Sequence, residues 1–256
     1  MIKKEIKNNI AFLTLERPDK YHSFIKEMAI DLQNKLDECE YDENVRCIVI
    51  TANGKAFCAG QDLSEAINPE GPGLRNIVEK HYNPIIIKIR NIAKPILAAV
   101  NGVAAGAGAS IALCCDIVVA KKSAVFVQAF SKIGLIPDSA ATFFLPRLIG
   151  LQKASALMMT AEPVSADEAN KLGMIYKVFD DNEFEEKVME LAEKLAQMPT
   201  KGLGLTKKLL NSSLTNNLDQ QLIEELEAQT IAGETNDYTE GVSAFLEKRK
   251  PKFKGN

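Results

Sequence analysis

The sequence predicts an α/β fold with a helical appendage at its C-terminal end, and three observations carry that prediction. Short, almost wholly apolar runs rich in β-branched residues and alanine occur at 46–51, 95–100 and 116–120, as strands covered on both faces require. Helical spacing of apolar residues fills the intervals between them, the signature of βαβ units. Beyond residue 183 the helical patterns continue without another strand-like run.

Taken in order, the first fifteen residues alternate around Asn8-Asn9 and read as a β-hairpin. Pro18-Asp19-Lys20 breaks the strand and opens a loop. From Ile25 to Glu43, Met28, Leu32, Leu36 and Cys39 recur at three- and four-residue spacing, which predicts an amphipathic helix. Arg46–Thr51 is a buried strand closed by Asn53-Gly54. Leu74–Asn91 is a helix with Pro84 as a kink, and Pro95–Val100 a second buried strand closed by Asn101-Gly102. Gly106–Cys115 is a small-residue helix leading into a third strand, 116–120. Helices are expected at 140–149, 151–160 and 165–172, a strand at 174–179, and three helical patterns over 183–248. The division expected is a core over 1–199 and a helical region over 200–256, beginning after Met198-Pro199.

Composition narrows the function classes. Thirty-one Lys and Arg against 34 Asp and Glu leave a net charge of -3, which disfavours a nucleic-acid binder held by phosphate contacts. No apolar run reaches the roughly 18–20 residues that span a bilayer, so no membrane segment is expected. The opening Met1-Ile-Lys-Lys-Glu-Ile-Lys lacks the apolar stretch of a secretion signal, so the expected compartment is the cytoplasm. Five cysteines, an odd number with Cys114 and Cys115 adjacent, do not make a disulfide framework, and with only His22 and His81 no metal site is expected.

Chemistry is concentrated in two small-residue turns that follow buried strands. Asn101–Ser110 and Gly54–Asp62 leave backbone N–H groups approachable, and two such turns on neighbouring strands can offer one N–H each to the same oxygen, which is how an oxyanion hole is built. The bland reading is that small residues only let a helix pack closely on a sheet. The glycine spacing matches neither a dinucleotide fingerprint nor a P-loop. Between Glu79 and Glu162 only Asp116 and Asp138 carry a carboxylate. Asp116 fits a strand-end hydrogen bond. Asp138, between Pro137 and a predicted helix, fits an N-cap or a base whose pKa is raised in an apolar pocket. A Ser110/His/Asp triad has no nucleophile elbow to support it.

The sequence resembles the enoyl-CoA hydratase/isomerase (crotonase) family over nearly its whole length. The likeness rests on Glu16–Lys20, Ala56–Asp62, Lys94–Gly108, Cys115-Asp-Ile117, Ile133–Pro137, Ser165–Ala169 with Gly173, and Glu240–Arg249. It implies a β/α spiral core and homotrimers, or dimers of trimers, packed through the C-terminal helices. It also implies an acyl-CoA substrate whose thioester oxygen accepts from the N–H groups of Gln61 and Ala107. Lys20, Ala59, Asp62 and Phe130 would line the substrate site, with Phe245 and Lys248 reaching CoA from a neighbouring subunit. The two glutamates of the family's hydratases are replaced by Ser110 and Phe130, whereas its isomerases place a carboxylate where Asp138 stands.

Phe126–Asp138, Tyr82-Asn-Pro84 and Leu145-Pro-Arg147 look most like the phenylacetate-pathway branch that rearranges ring-1,2-epoxyphenylacetyl-CoA to oxepin-CoA and can shift 3-enoyl-CoA to 2-enoyl-CoA. Ser139-Ala-Ala141 departs from the glycines usual there. The expectation is an acyl-CoA isomerase with Asp138 as acid/base and no cofactor beyond the CoA of its substrate. The alternatives are a hydratase using substitute residues, a dehalogenase or thioester hydrolase, and a non-catalytic acyl-CoA or RNA-binding relative.

Overall fold

The structure, a computed structural model describing residues 1–256, consists of two sheets, a set of helices around them and a C-terminal helical layer. Strands β1 (Ile2–Lys7) and β2 (Ile10–Leu15) form the expected antiparallel hairpin, with Asn8 and Asn9 both at positive φ, where asparagine is tolerated. Helix α1 (Lys26–Tyr41) follows, burying Met28, Leu32, Leu36 and Cys39. The chain then repeats one plan three times: a strand of the first sheet, a turn, a short strand of the second sheet, then helix. β3 (Cys47–Ala52) is followed by β4 (Ala56–Cys58), β5 (Ile96–Val100) by β6 (Val103–Ala105), and β7 (Ile117–Lys121) by β8 (Val125–Val127). Both β3-β5-β7 and β4-β6-β8 pair in parallel, so successive repeats stack as a spiral. Stacking is close at the turns: a Cβ on Gly102 would stand 2.3 Å from the Lys55 carbonyl oxygen.

The helices of the first repeat are α2 (Leu63–Ala66), α3 (Gly73–Asn76) and α4 (Asn83–Asn91), with a π turn at Ile77–Tyr82 between the last two. Pro84 was expected to kink this segment, and the structure resolves the kink into that turn. Pro84 has no N–H to offer the Lys80 carbonyl, and Gln33 of α1 donates there instead (2.9 Å) and to the His81 carbonyl (3.0 Å). The later elements are α5 (Ala107–Leu113), α6 (Ala141–Ile149), α7 (Leu151–Thr160), β9 (Val164–Ser165), α8 (Ala166–Lys171), β10 (Lys177–Phe179) and α9 (Phe184–Ala196). The strand expected over 174–179 is shorter, because Met174 and Ile175 are buried in a turn whose N–H groups bond to the Ala169 carbonyl.

Alternation on the central strands separates two apolar clusters. Ile48 and Ile50 face one side with Leu13, Ile96, Ala98 and the buried faces of α1 and α4. Val49, Leu97, Ala99 and Val119 face the other, covered by Phe184, Val188, Ala192 and Ala196 of α9. C-terminal to these, α10 (Thr200–Ser212), α11 (Leu218–Gly233) and α12 (Asn236–Leu246) form the outer layer. Four helices therefore occupy the region where three patterns were expected. The break between α11 and α12 is marked only by Thr235, whose hydroxyl caps α12. α10 is tied inward by Lys207, which pairs with Asp116 (2.8 Å), and by Asn211, which bonds Arg90. Asp116 also accepts from the Ile96 N–H (2.8 Å) and from Arg90 (3.1 Å), so it works at the strand end as its position suggested. No helix is long and apolar enough to cross a membrane.

Candidate active site

The candidate site begins where β4 ends. Ala59 is exposed, and its N–H donates to the Tyr21 carbonyl (2.9 Å), placing the Pro18–Lys20 turn with exposed Lys20 alongside. Gly60 follows at φ +90, a conformation suited to glycine, and a Cβ there would come within 3.0 Å of the Ala105 carbonyl oxygen and 3.4 Å of the Ala107 nitrogen. Gln61 then bridges Phe24 in parallel register: the Phe24 N–H donates to the Gly60 carbonyl (2.7 Å) and the Asp62 N–H to the Phe24 carbonyl (2.8 Å). Alternation along the strand points the Gln61 N–H away from Phe24. The first residue of α5 is Ala107, whose N–H precedes any intrahelical bond. The two turns singled out in the sequence thus meet. Gly108 lets them approach, since a Cβ on it would stand 2.4 Å from the Cys58 carbonyl oxygen. The Cys58 thiol is packed beneath, pushed up to about 12 by burial, and is a neutral spacer rather than a nucleophile.

A side-chain network fixes Gln61. Its Nε2 donates to Glu65 Oε2 (2.8 Å) and its Oε1 accepts from the Tyr82 hydroxyl (3.0 Å). The carboxylate can only accept, so the amide has one orientation and Tyr82 must be the donor. Tyr82 lies at the end of the π turn, 1% exposed, with its ring 5.8 Å from that of Phe24. Burial raises its pKa, keeping the phenol neutral. The other oxygen of Glu65 accepts from the N–H of Lys26 at the start of α1 (2.9 Å).

Asp138 stands on the turn between a 3-10 segment, Ala129–Ile133, and α6. It caps nothing with its side chain: Ala140 occupies the cap position of α6, without a side-chain cap bond. The carboxyl pKa is raised, chiefly by burial, with the Ser139 hydroxyl pulling the other way through a 2.9 Å hydrogen bond to Oδ1. Phe130 is buried with its ring facing Gly106, the residue before α5.

The remaining candidates are accounted for by their contacts. Ser110 is buried and donates back to the Gly106 carbonyl of its own helix (3.1 Å). His22 accepts the Arg17 N–H on Nδ1 (3.0 Å), so its proton is on Nε2, facing the Asn53 carbonyl (2.8 Å). Both ring nitrogens are thus used to fix the Arg17–His22 loop, and no triad with Ser110 forms. His81 is buried on the π turn, its Nδ1 unpartnered, and burial lowers its pKa. Asp62 caps α2 through the Ser64 N–H (3.0 Å) and receives Arg17 (2.6 Å). The Ser64 hydroxyl, and after it Arg17, hold its pKa down to about 2. Phe245 lies on α12 and Lys248 just beyond it: Phe245 is 83% exposed, in a groove with Pro199, Tyr238, Val242 and Phe253. No cluster of three His, Cys, Asp or Glu has the geometry to hold a metal. Two residues of the arrangement carried no sequence signal as site residues, Tyr82 and Ser139. Their marks were the Tyr-Asn-Pro run and the departure of Ser139-Ala-Ala141 from the glycines usual beside Asp138.

The spiral of paired strands, with the turns that carry the Gln61 and Ala107 N–H groups brought together between two successive repeats, defines the class to which the chain is compared. A profile described as enoyl-CoA hydratase/isomerase matches residues 5–256. The chain is 46% identical over 257 residues to the 1,2-epoxyphenylacetyl-CoA isomerase of Escherichia coli (strain K12), covering 99% of this chain and 98% of that one. It is 33% identical to the 2,3-dehydroadipyl-CoA hydratase of the same organism, covering 96% and 95%. Among solved structures, an enoyl-CoA hydratase/isomerase from Mycobacterium abscessus superposes with a TM-score of 0.95 at 33% identity, covering 100% of both chains. The chain belongs to the enoyl-CoA hydratase/isomerase family and has the crotonase fold.

Proposed function

We propose that the protein is an acyl-CoA isomerase in which the N–H groups of Gln61 and Ala107 polarise the thioester oxygen and Asp138 carries the proton. The observation that carries this reading is which of the family's acid/base positions hold a carboxyl in this chain. Asp138 is present and half-buried, while the two positions that hold glutamates in the family's hydratases carry Phe130 and a Ser110 bonded back to its own helix. Water addition needs one group to activate water and another to protonate carbon. An internal proton shift needs one group.

For a 3-enoyl-CoA the step balances as follows. Asp138 removes the α-proton, the electron pair moves into a dienolate whose oxygen is held by the two N–H groups, and the same proton returns to the γ-carbon as the double bond moves into conjugation. Each N–H is worth roughly 2.7–4 kcal/mol by analogy with oxyanion-hole donors elsewhere. The balance closes without a metal, oxidant or cofactor beyond the CoA of the substrate. The 46% identity to a 1,2-epoxyphenylacetyl-CoA isomerase supports an aromatic ring epoxide as the alternative substrate of the same site.

Lys20 and Ala59 flank the mouth where CoA enters, and Asp62 holds their loop through Arg17. Phe245 and Lys248 reach CoA from a neighbouring copy in a trimer or a dimer of trimers. This is supported by the apolar side chains that the outer layer leaves exposed, among them Leu222, Leu226, Phe245 and Leu246.

The test is to incubate the protein with a short 3-enoyl-CoA and follow conjugation by ultraviolet absorbance and product by mass. Wild type should give the 2-enoyl ester at unchanged mass. Asp138→Asn should lose about 10²- to 10⁴-fold in kcat with CoA-ester binding retained. Full activity in that variant, or addition of water to the 2-enoyl ester by wild type, sinks the assignment.

A further inference from the structure

The segment carrying Asp138 is built against backbone preference. Ser139 and Ala140 both lie in the left-handed region, at φ +52 and +59, and neither is glycine. Glycine adopts this conformation freely, whereas an L side chain adopts it only when the surroundings over-determine it. Ala140 offers a local reason, because its carbonyl accepts the Phe143 and Phe144 N–H groups that begin α6. Ser139 offers a different one. Its side chain is 2% exposed, and its hydroxyl donates to Asp138 Oδ1 at 2.9 Å. A buried hydroxyl next to a carboxylate in sequence, held in a disfavoured backbone state, is directed at that carboxylate.

We propose that Ser139 is a positioning residue for the proposed acid/base: its hydroxyl binds Oδ1 of Asp138 and so presents Oδ2 as the atom that exchanges the proton with substrate. The inference rests on the reading of Asp138 as the proton carrier. The Ser139 hydroxyl is the one side-chain donor to this carboxyl, acting beside the main-chain N–H of Asp138 itself. The hydroxyl also opposes the effect of burial on the carboxyl, favouring the ionised form that accepts the proton. No charged group takes this part. Arg147, on the far end of α6, bonds the Phe143 carbonyl and stacks on the Phe143 ring, Lys132 on the 3-10 segment is exposed, and Arg90 of α4 lies over the Phe144 ring. The phenol of Tyr82, bonded to Gln61, is neutral and takes no such part either.

Glycine substitutions separate the backbone from the hydroxyl. Ser139→Gly and Ala140→Gly each relieve one left-handed side chain, but only the first removes the donor to Asp138, and Ser139→Ala removes the donor while keeping the backbone state. Each variant is measured for melting temperature, for kcat and KM on a 3-enoyl-CoA, and for the pH profile of kcat/KM. Ala140→Gly should keep the wild-type profile. Ser139→Gly and Ser139→Ala should lose about tenfold in kcat, the scale of a hydrogen bond to a charged group, with KM changed less than about twofold. Their acidic limb should move to higher pH, because Asp138 then ionises with more difficulty. Ser139→Gly should melt no lower than Ser139→Ala. Wild-type kcat and an unmoved acidic limb in both Ser139 variants, with Asp138→Asn inactive, overturn the role of Ser139 alone. Retained activity in Asp138→Asn overturns the reading of Asp138 itself.

Discussion

Replacing Gly108 by alanine should damage turnover more than it damages the fold. The added methyl would stand 2.4 Å from the Cys58 carbonyl oxygen and 2.7 Å from both Cys58 Cβ and Sγ, against 3.4 Å or more for ordinary contact. The nearest obstacle is backbone, so relief requires α5 to move away from β4 by about 1 Å. Overpacking of this kind costs about 1–3 kcal/mol. For a chain of this size that lowers the melting temperature by roughly 2–12 °C, at about 2–4 °C per kcal/mol. The same 1 Å separates the Ala107 N–H from the Gln61 N–H, and misplacement on that scale costs about 10²-fold in rate.

Two glycines serve as controls. Gly102→Ala meets the Lys55 carbonyl at 2.3 Å, a comparable clash between β5 and β6, five residues before the Ala107 N–H. Gly233→Ala, at the end of α11, meets nothing within 4 Å. The assay is kcat/KM per folded molecule, measured well below the melting temperature and alongside thermal denaturation. Gly102→Ala should lose stability with a smaller loss of rate. Gly233→Ala should stabilise by up to about 1 kcal/mol, the helix preference for alanine over glycine. Gly108→Ala with the stability loss but activity within twofold of wild type would refute the idea that close packing of α5 on β4 sets the two donors.

Three further outcomes follow from the site. Because burial raises the Asp138 pKa, the folded chain holds its proton more tightly than the unfolded chain does, and ionisation at neutral pH costs stability. Asp138→Asn should therefore melt higher than wild type at pH 7, with the difference shrinking toward about pH 4; a variant that melts lower at pH 7 contradicts this. Asp62 behaves oppositely: its lowered pKa gives stability that is complete above about pH 4 and disappears as pH falls through about 2, so Asp62→Asn should narrow the acid-induced loss seen in wild type by thermal melts over that range. Tyr82→Phe leaves Gln61 Oε1 without its donor and should lower kcat by about tenfold with little change in KM; unchanged kcat would detach the side-chain network from the N–H it surrounds.

Much of the first sheet was legible because its strands are long enough to show a pattern. The hairpin announces itself by alternation around Asn8-Asn9, and β3, β5 and β7 by apolar runs that a two-sided burial demands. The second sheet left no such trace. Its first three strands have three residues each, made partly of alanine and cysteine, and their order comes from stacking on the first sheet rather than from propensity. The π turn shows the same limit. Pro84 signals a broken ladder, but only the distant Gln33 supplies the donors that let the turn persist.

At the site, the two glycine-bearing turns were readable as places with approachable N–H groups, since that follows from local composition. Asp138 was ambiguous between cap and base, and what resolves its geometry is a left-handed Ala140 in the cap position, which no spacing rule anticipates. Tyr82 was invisible as a partner of Gln61 because a hydrogen bond between residues 21 positions apart leaves no periodicity to read.

The separation of the apolar clusters by the first sheet has a practical meaning for anyone modifying the protein. Tyr82, Ala107 and Phe130 lie in the cluster on the side of α1, α4 and α5, while α9 covers the opposite face with Phe184, Val188, Ala192 and Ala196. Changes on the two faces are a full sheet apart and share no partners, so their effects should add independently. The α9 face is thus a place where the chain can be repacked for robustness, or allowed to drift between species, with the chemistry on the other side left undisturbed.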